Sequence, residues 1–209
     1  MTLAPEENID VVAYARALGI VVSIGHSDAT AHVVEQAIAQ GVTQATHLYN
    51  QMRPMHHRDA GVVGSVLLHR DVFVELIADF IHVHPQMIDV AYRLKGASRI
   101  ILITEAMRAK GLTEGLYELG GQRVHVGADG ARLDNEALRN MREATGASWQ
   151  ELAHMSSYNA AQQLKLPNKG YIAKGKDADF VVVDEQFNVK MTVVQGNIVY
   201  ARLGGMHVG

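Results

Sequence analysis

The chain has 209 residues, 48% hydrophobic and 20% charged, a globular composition able to bury a sizeable core as one domain or two small ones. Its formal net charge of -3 leaves no electrostatic footprint for nucleic acid or an anionic membrane surface. With no cysteine, disulfides, zinc fingers and thiol nucleophiles are excluded, and any metal must be held by His, Asp or Glu.

The opening Met1-Thr2-Leu3-Ala4-Pro5-Glu6-Glu7 lacks the basic start and apolar stretch of a signal peptide. No apolar run approaches the roughly 20 residues of a membrane-spanning helix. A soluble cytoplasmic protein is therefore expected. After a helical opening around Ile9 to Leu18, Ile20-Val21-Val22-Ser23-Ile24 is a β-branched run that stops at Gly25 and presents His26. Ala31 to Gln40 reads as a helix with Val34, Ala37, Ile38 and Gly41 on one face. Gln44-Ala45-Thr46 repeats the plan and presents His47, 21 positions after His26. Further strands are expected near 73–79 and 99–104, and a helix near 85–95 whose Pro85 suits a first-turn position. Such alternation predicts a parallel sheet. Four strands of this kind make half of an eight-stranded barrel.

From Gly111 the pattern changes. Leu116 to Val126 reads as two short strands around Gly120-Gly121. Helices are expected near 136–144 and 148–164, the second opened by Ser148 and Glu151 at capping-box spacing. Strands return at Phe180–Val183, Val189–Val194 and Ile198–Tyr200, with Gly196-Asn197 as the hairpin turn. The expected class is α/β: a partial, half TIM-type barrel of parallel strands over 1–110, with a helical segment over 136–169 on its side. A small antiparallel β-sandwich-like unit would come from 111–135 and 170–209.

Imidazoles at the carboxyl ends of neighbouring strands lie where α/β folds place their chemistry. Neutral imidazole is a common ligand of zinc or iron. Either histidine alone is more often a loop residue bonded to backbone. Two at equivalent strand ends, beside Gly25, Ser27, Thr46 and Asn50, favour a metal or catalytic role. Two ligands are too few, since catalytic zinc sites carry three and a water. The segment Ile77 to Pro85 adds His82 and His84, either of which is a ligand, a substrate contact or a solvated loop histidine. The fourth strand delivers Glu105, which reads as a general base or as an acid at a helix start. Arg53 to Gly61 is a dense basic loop in which Arg58 and a neighbouring histidine would grip a phosphate or carboxylate, or form an exposed turn.

Several strings carry a resemblance: Thr2-Leu3-Ala4-Pro5-Glu6, Gly25-His26-Ser27-Asp28-Ala29-Thr30, Ala45 to Pro54 and His57-Arg58-Asp59-Ala60-Gly61. Ile77 to Pro85, Ile103-Thr104-Glu105-Ala106-Met107 and Gly175-Lys176-Asp177-Ala178-Asp179 extend it through nearly the whole chain. Together they resemble the N-acetylglucosamine-6-phosphate deacetylases of the amidohydrolase superfamily. The resemblance implies hydrolysis of a sugar phosphate, N-acetylglucosamine 6-phosphate, to glucosamine 6-phosphate and acetate. It implies a divalent metal, zinc or iron, on His26 and His47, with a third ligand from a Glu in a His-x-Glu-Gly-Pro motif on an earlier strand. His82 would contact the sugar. Backbone at Asn50-Gln51, with Arg58 and nearby His57, would hold the 6-phosphate. Glu105 would act as general base on the activated water, then as acid to the departing amine.

Four departures stand out. The chain begins where the family's fourth or fifth barrel strand ends, so the Glu ligand falls outside it. The family's Asp in Thr-Asp-Ala is here Glu105, one methylene longer. The glycine of Asp-Gly-x-His is here Phe80, and a substrate-side loop is lost between Asn135 and Glu136. The alternative reading is an impaired remnant, or half of a split enzyme, that keeps sugar-phosphate or assembly contacts; a pure scaffold is disfavoured by the set of polar strand-end residues. A half-barrel leaves open sheet edges, so a homodimer or a complementary N-terminal half is the expected protein partner.

Overall fold

The computed structural model describes residues 1–104, 115–119, 122–126, 134–203 and 206–208. Five strands form one wholly parallel sheet in chain order: β1 Thr2–Leu3, β2 Ser23–Ile24, β3 Gln44–Ala45, β4 Phe73–Ile77 and β5 Ile100–Ile103. Four helices make the crossovers: α1 Pro5–Ala17, α2 Ala31–Gln40, α3 Gly61–Leu68 and α4 Pro85–Lys95. A helix between each pair of neighbouring parallel strands is the βαβ plan that the alternation predicts. The four expected strands all appear, in shorter form. Thr2–Leu3 is a fifth, and two residues are too few to display any periodicity.

The core lies between this sheet and its helices. Ile24, Val74, Leu76 and Ile100 from the strands, with Val22 just before β2, are fully buried against Val12, Val34, Val62, Val66 and Ile88 from the four helices. A residue that is buried on one side of a βαβ layer contributes about 1.5–3 kcal/mol relative to exposure, which is why these short strands hold register. Among the described residues, five such strands leave two edges, at β1 and at β5.

Downstream, β6 Gly115–Leu119 pairs with β7 Gln122–Val126 as an antiparallel hairpin. Then α5 Asp134–Thr145 leads to a second helical stretch, which is not continuous: α6 Trp149–Ala153 passes through a π-turn at His154–Tyr158 into α7 Asn159–Gln163. The expected capping box is present, with Ser148 Oγ accepting from Glu151 N (3.3 Å) and Glu151 Oε2 from Ser148 N (2.8 Å). The Tyr92 hydroxyl donates to Glu151 at 2.6 Å and ties this helix to α4.

Four further strands, β8 Phe180–Val183, β9 Val189–Val194, β10 Asn197–Leu203 and β11 Met206–Val208, form an antiparallel meander. No described pairing joins it to the β6–β7 hairpin. Its turn residue Phe187 packs against Trp149, ring centroids 4.5 Å apart, and Arg139 donates to Gln186 O at 2.8 Å, so the meander leans on α5 and α6. The hairpin turn between β9 and β10 is Gln195-Gly196, one position earlier than expected. Both residues are left-handed, with φ of +49° and +79°. Two consecutive left-handed residues are what a two-residue hairpin loop of type I′ demands. Among the described residues, no helix is long and apolar enough to cross a membrane.

Candidate functional site

The carboxyl ends of β2 and β3 bring the two expected histidines together. Their rings lie 4.8 Å apart, centroid to centroid, tilted by 58°. Each ligand bond to zinc is near 2.0–2.1 Å, so this spacing suits a shared cation. Both residues leave their strands in left-handed backbone, His26 at φ +51° and His47 at φ +34°. Such a conformation is uncommon outside glycine and turns the side chain out of the pleat.

Gly25 makes this exit possible. A Cβ there would sit 2.6 Å from Thr2 Cγ2 and 2.9 Å from Thr46 Cβ, so β1 and β3 close in around bare backbone. The hydroxyls of Thr2, Thr46 and Ser23 form a chain that links β1 and β2 to the residue after β3, at 3.0 Å and 2.6 Å.

The two imidazoles are not equivalent. His26 is exposed, whereas His47 is 5% exposed and its Nδ1 is buried without a hydrogen-bond partner. A buried ring nitrogen left unpaired costs free energy unless something outside the chain meets it. Both side chains therefore fit a divalent cation as ligands. Among the described residues no group of three His, Asp or Glu converges, so the pair has no third partner there. Glu105 lies outside the described residues.

The loop after β3 holds the anion candidates. Arg58 Nε donates to His57 Nε2 at 3.1 Å, and the His57 ring lies 4.0 Å from that of His56. These side chains, with Met55, Asp59, Ala60 and Ala31, line an open concavity of about 690 Å³. The terminal guanidinium nitrogens of Arg58 meet no partner among the described residues. Arg53 is different: it is spent on carboxylates, reaching Asp28 at 3.0 Å and Asp59 at 3.3 Å. The Arg53 guanidinium holds the Asp28 carboxyl below the usual carboxylate range. For Asp59 the lowering comes first from the amides of Ala31 and Gly61, then from Arg53.

Asn50 and Gln51 occupy the tight turn that follows His47. The Asn50 amide donates back to His47 O at 3.0 Å, and Gln51, at φ +49°, accepts from Ser27 N at 3.0 Å. Nearby Tyr49 donates its hydroxyl to Met87 O at 2.8 Å, and burial pushes that phenol up to about 12.

After β4, His82 is pinned: its Nδ1 lies 2.6 Å from Asp79 Oδ2, while Asp79 Oδ1 accepts from the amides of Ile81 and His82 at 2.8 Å each. Burial pushes the Asp79 carboxyl up, but the hydrogen bonds with His82 and these amides outweigh it and leave it lowered. The residue between, Phe80, has φ +63°. A left-handed residue with a side chain costs about 1–2 kcal/mol, which accounts for the glycine that the resembling family keeps at this position.

A parallel α/β half-barrel with two histidines at its carboxyl rim, and a basic loop beside them, is the architecture of a barrel hydrolase. The chain belongs to the amidohydrolase family, whose pattern it matches over residues 2–199. It is 54% identical over 211 residues to the N-acetylglucosamine-6-phosphate deacetylase of Lysinibacillus sphaericus, covering 95% of this chain and 54% of that protein. The enzyme of the same name from Bacillus subtilis is 43% identical, covering 96% of this chain and 54% of the relative. Among solved structures, the N-acetylglucosamine-6-phosphate deacetylase of Thermotoga maritima superposes with a TM-score of 0.88 at 38% identity, over 96% of this chain and 59% of that one. The enzyme from Pasteurella multocida gives 0.87 at 31%, over 94% and 55%. The chain thus spans about half the length of the relatives it matches.

Proposed function

We propose that the chain works in the metal-dependent hydrolysis of N-acetylglucosamine 6-phosphate, yielding glucosamine 6-phosphate and acetate. The observation that carries this reading is the His26–His47 pair at 4.8 Å, with one buried ring nitrogen awaiting a partner. His26 and His47 hold the cation, zinc or iron. When bound, such a cation polarises the amide carbonyl and eases the deprotonation of water.

The remaining roles fall to the chain's own side chains. Arg58 and His57, with backbone at Asn50-Gln51, hold the 6-phosphate, a planar guanidinium being suited to phosphate oxygens. His82, oriented by Asp79, contacts the sugar. Glu105 takes the proton from the attacking water and returns it to the departing amine. Water adds to the acetamide carbonyl, the C–N bond breaks, and acetate and a free amine leave.

Residues 1–110 form the catalytic half-barrel in this reading, with 136–169 on its side and 111–135 with 170–209 as a small β unit. The working assembly is cytoplasmic. A complementary N-terminal half, or a second copy, covers the edges at β1 and β5, and such a half supplies the third metal ligand.

A second reading, an impaired piece that binds without turnover, is favoured by the missing third ligand among the described residues and by the strained Phe80. Acetate release from N-acetylglucosamine 6-phosphate, with zinc or ferrous iron added, separates the two. Release abolished by His47→Ala supports the hydrolase. Binding of the sugar phosphate with no release, even with the N-terminal half of a relative supplied, supports the impaired piece. Neither binding nor release overturns both.

A further inference from the structure

The loops that carry the candidate ligands are joined by one side chain. Arg53 extends a fork to Asp28, two residues beyond His26, with Nε 3.0 Å from Oδ1 and Nη2 3.0 Å from Oδ2. Its remaining nitrogen, Nη1, lies 3.3 Å from Asp59 Oδ2, next in sequence to Arg58. Asp59 Oδ1 accepts from the amides of Ala31 and Gly61, each at 3.0 Å, at the first residues of α2 and α3. The backbone follows the same path: Ser27 N donates to Gln51 O at 3.0 Å and Arg53 N to Ser27 O at 2.9 Å.

Stability explains little of the Asp28 contact. The Asp28 side chain is 81% exposed. An exposed ion pair contributes about 0–1 kcal/mol. What a two-pronged guanidinium–carboxylate contact contributes is direction, because both partners are planar and the fork admits one relative orientation. Here that direction is imposed on the segment where His26 takes its left-handed backbone, and on the segment ending at Arg58 and Asp59.

We propose that Arg53 is a positioning residue that locks the His26 loop to the His57–Arg58 loop, so that the metal end and the phosphate end of the site respond as one. The proposal rests on the functional reading above. An anion drawn to Arg58 shifts Asp59, hence Arg53, hence the segment carrying Asp28 and His26. By linkage, a cation on His26 and His47 must then raise the affinity for the anion by the same factor.

Calorimetric titration of the whole chain tests this, with zinc ions and with glucosamine 6-phosphate, each alone and in the presence of the other. His26→Ala sets the background of zinc held elsewhere. In the unaltered protein each ligand should tighten the other by about fivefold or more. Arg53→Met should weaken both and abolish the mutual tightening. Asp28→Asn removes an exposed charge and turns one acceptor of the fork into a donor; it should lose most of the tightening while its thermal midpoint stays unchanged, and it decides the matter if Arg53→Met fails to fold. Undiminished tightening in Asp28→Asn, or independent binding of the two ligands in the unaltered protein, overturns the proposal alone. Binding of neither ligand by the unaltered protein overturns the functional reading and the proposal with it.

Discussion

The two ends of the parallel sheet are built from the same five strands and treated in opposite ways. At the amino end, polar groups are spent on the protein itself. Lys95, 7% exposed, donates to Val66 O and His69 O at 3.0 Å and 2.6 Å, where α3 ends. Asn159 donates to Ala97 O and Ile100 O at 2.7 Å each, and Gln163 reaches Thr43. At the carboxyl end, five of the eight left-handed non-glycine residues among those described gather: His26, His47, Tyr49, Gln51 and Phe80. His47 Nδ1 is left unpaired there. The amino end has one counterpart, His69 Nδ1. Left-handed strain gathered at one rim, and side chains spent on backbone carbonyls at the other, divide binding from stability along a single sheet.

The strongest way to break this contrast is at Asn159. Asn159→Ala removes the side-chain donor from one buried and one part-buried carbonyl and should destabilise by roughly 2–4 kcal/mol in urea unfolding, with zinc affinity unchanged. A change in zinc binding would show that the two ends are not separate.

Lys95 gives a pH signature next in size. Burial, chiefly, depresses its ammonium from 10.5 to about 8. Below pH 8 both folded and unfolded chains are protonated and the desolvation penalty is fully present. Between about 8 and 10.5 the unfolded chain binds more protons, so stability rises with pH. The gain should approach about 3 kcal/mol relative to Lys95→Met, and parallel pH curves for the two proteins would refute it.

Gly25→Ala addresses the other rim. The new methyl meets Thr2 and Thr46, which should cost about 1–3 kcal/mol. Unlike the first two changes, it should also weaken zinc binding, because His26 is moved relative to His47. Smallest is Phe80→Gly: relief of the left-handed strain, about 1–2 kcal/mol, is opposed by loss of the half-buried ring. A net change within about 1 kcal/mol of zero by thermal melting is expected. A larger loss would mean that the ring's packing outweighs the strain.

Much of the frame was legible because periodicity is a local signal. Ala31–Gln40 is a helix as expected, since its apolar spacing marks it. Ser148 and Glu151 announce their cap by spacing alone. The histidine pair was legible because each follows an apolar run that stops abruptly. Other features depend on distant partners and left no trace in the residue order. The π-turn at His154–Tyr158 interrupts what reads as a single helix. Arg53 reads as one more cation of a basic loop, yet two aspartates, one of them 25 positions earlier, engage it. His82 reads equally as ligand, contact or loop residue until Asp79 is seen beside it. Left-handed backbone at Phe80 is invisible in the sequence itself, although the family's glycine at that position hints at it.

The parallel sheet and the meander both run in strict chain order, and this has a consequence for how the protein is made. Register partners in the parallel sheet are Thr2↔Ser23, Ser23↔Gln44, Gln44↔Phe73 and Val74↔Ile100, so each strand meets one completed only 21 to 29 residues before it. Loops of that length close at modest entropic cost, growing only as the logarithm of their size. A chain leaving the ribosome amino end first can therefore lay down β1 to β5 one after another, each docking on an edge already formed. The meander repeats the scheme with still shorter returns. Vectorial synthesis and sheet order point the same way, so within β1 to β5 each strand finds a partner in the segment made just before it.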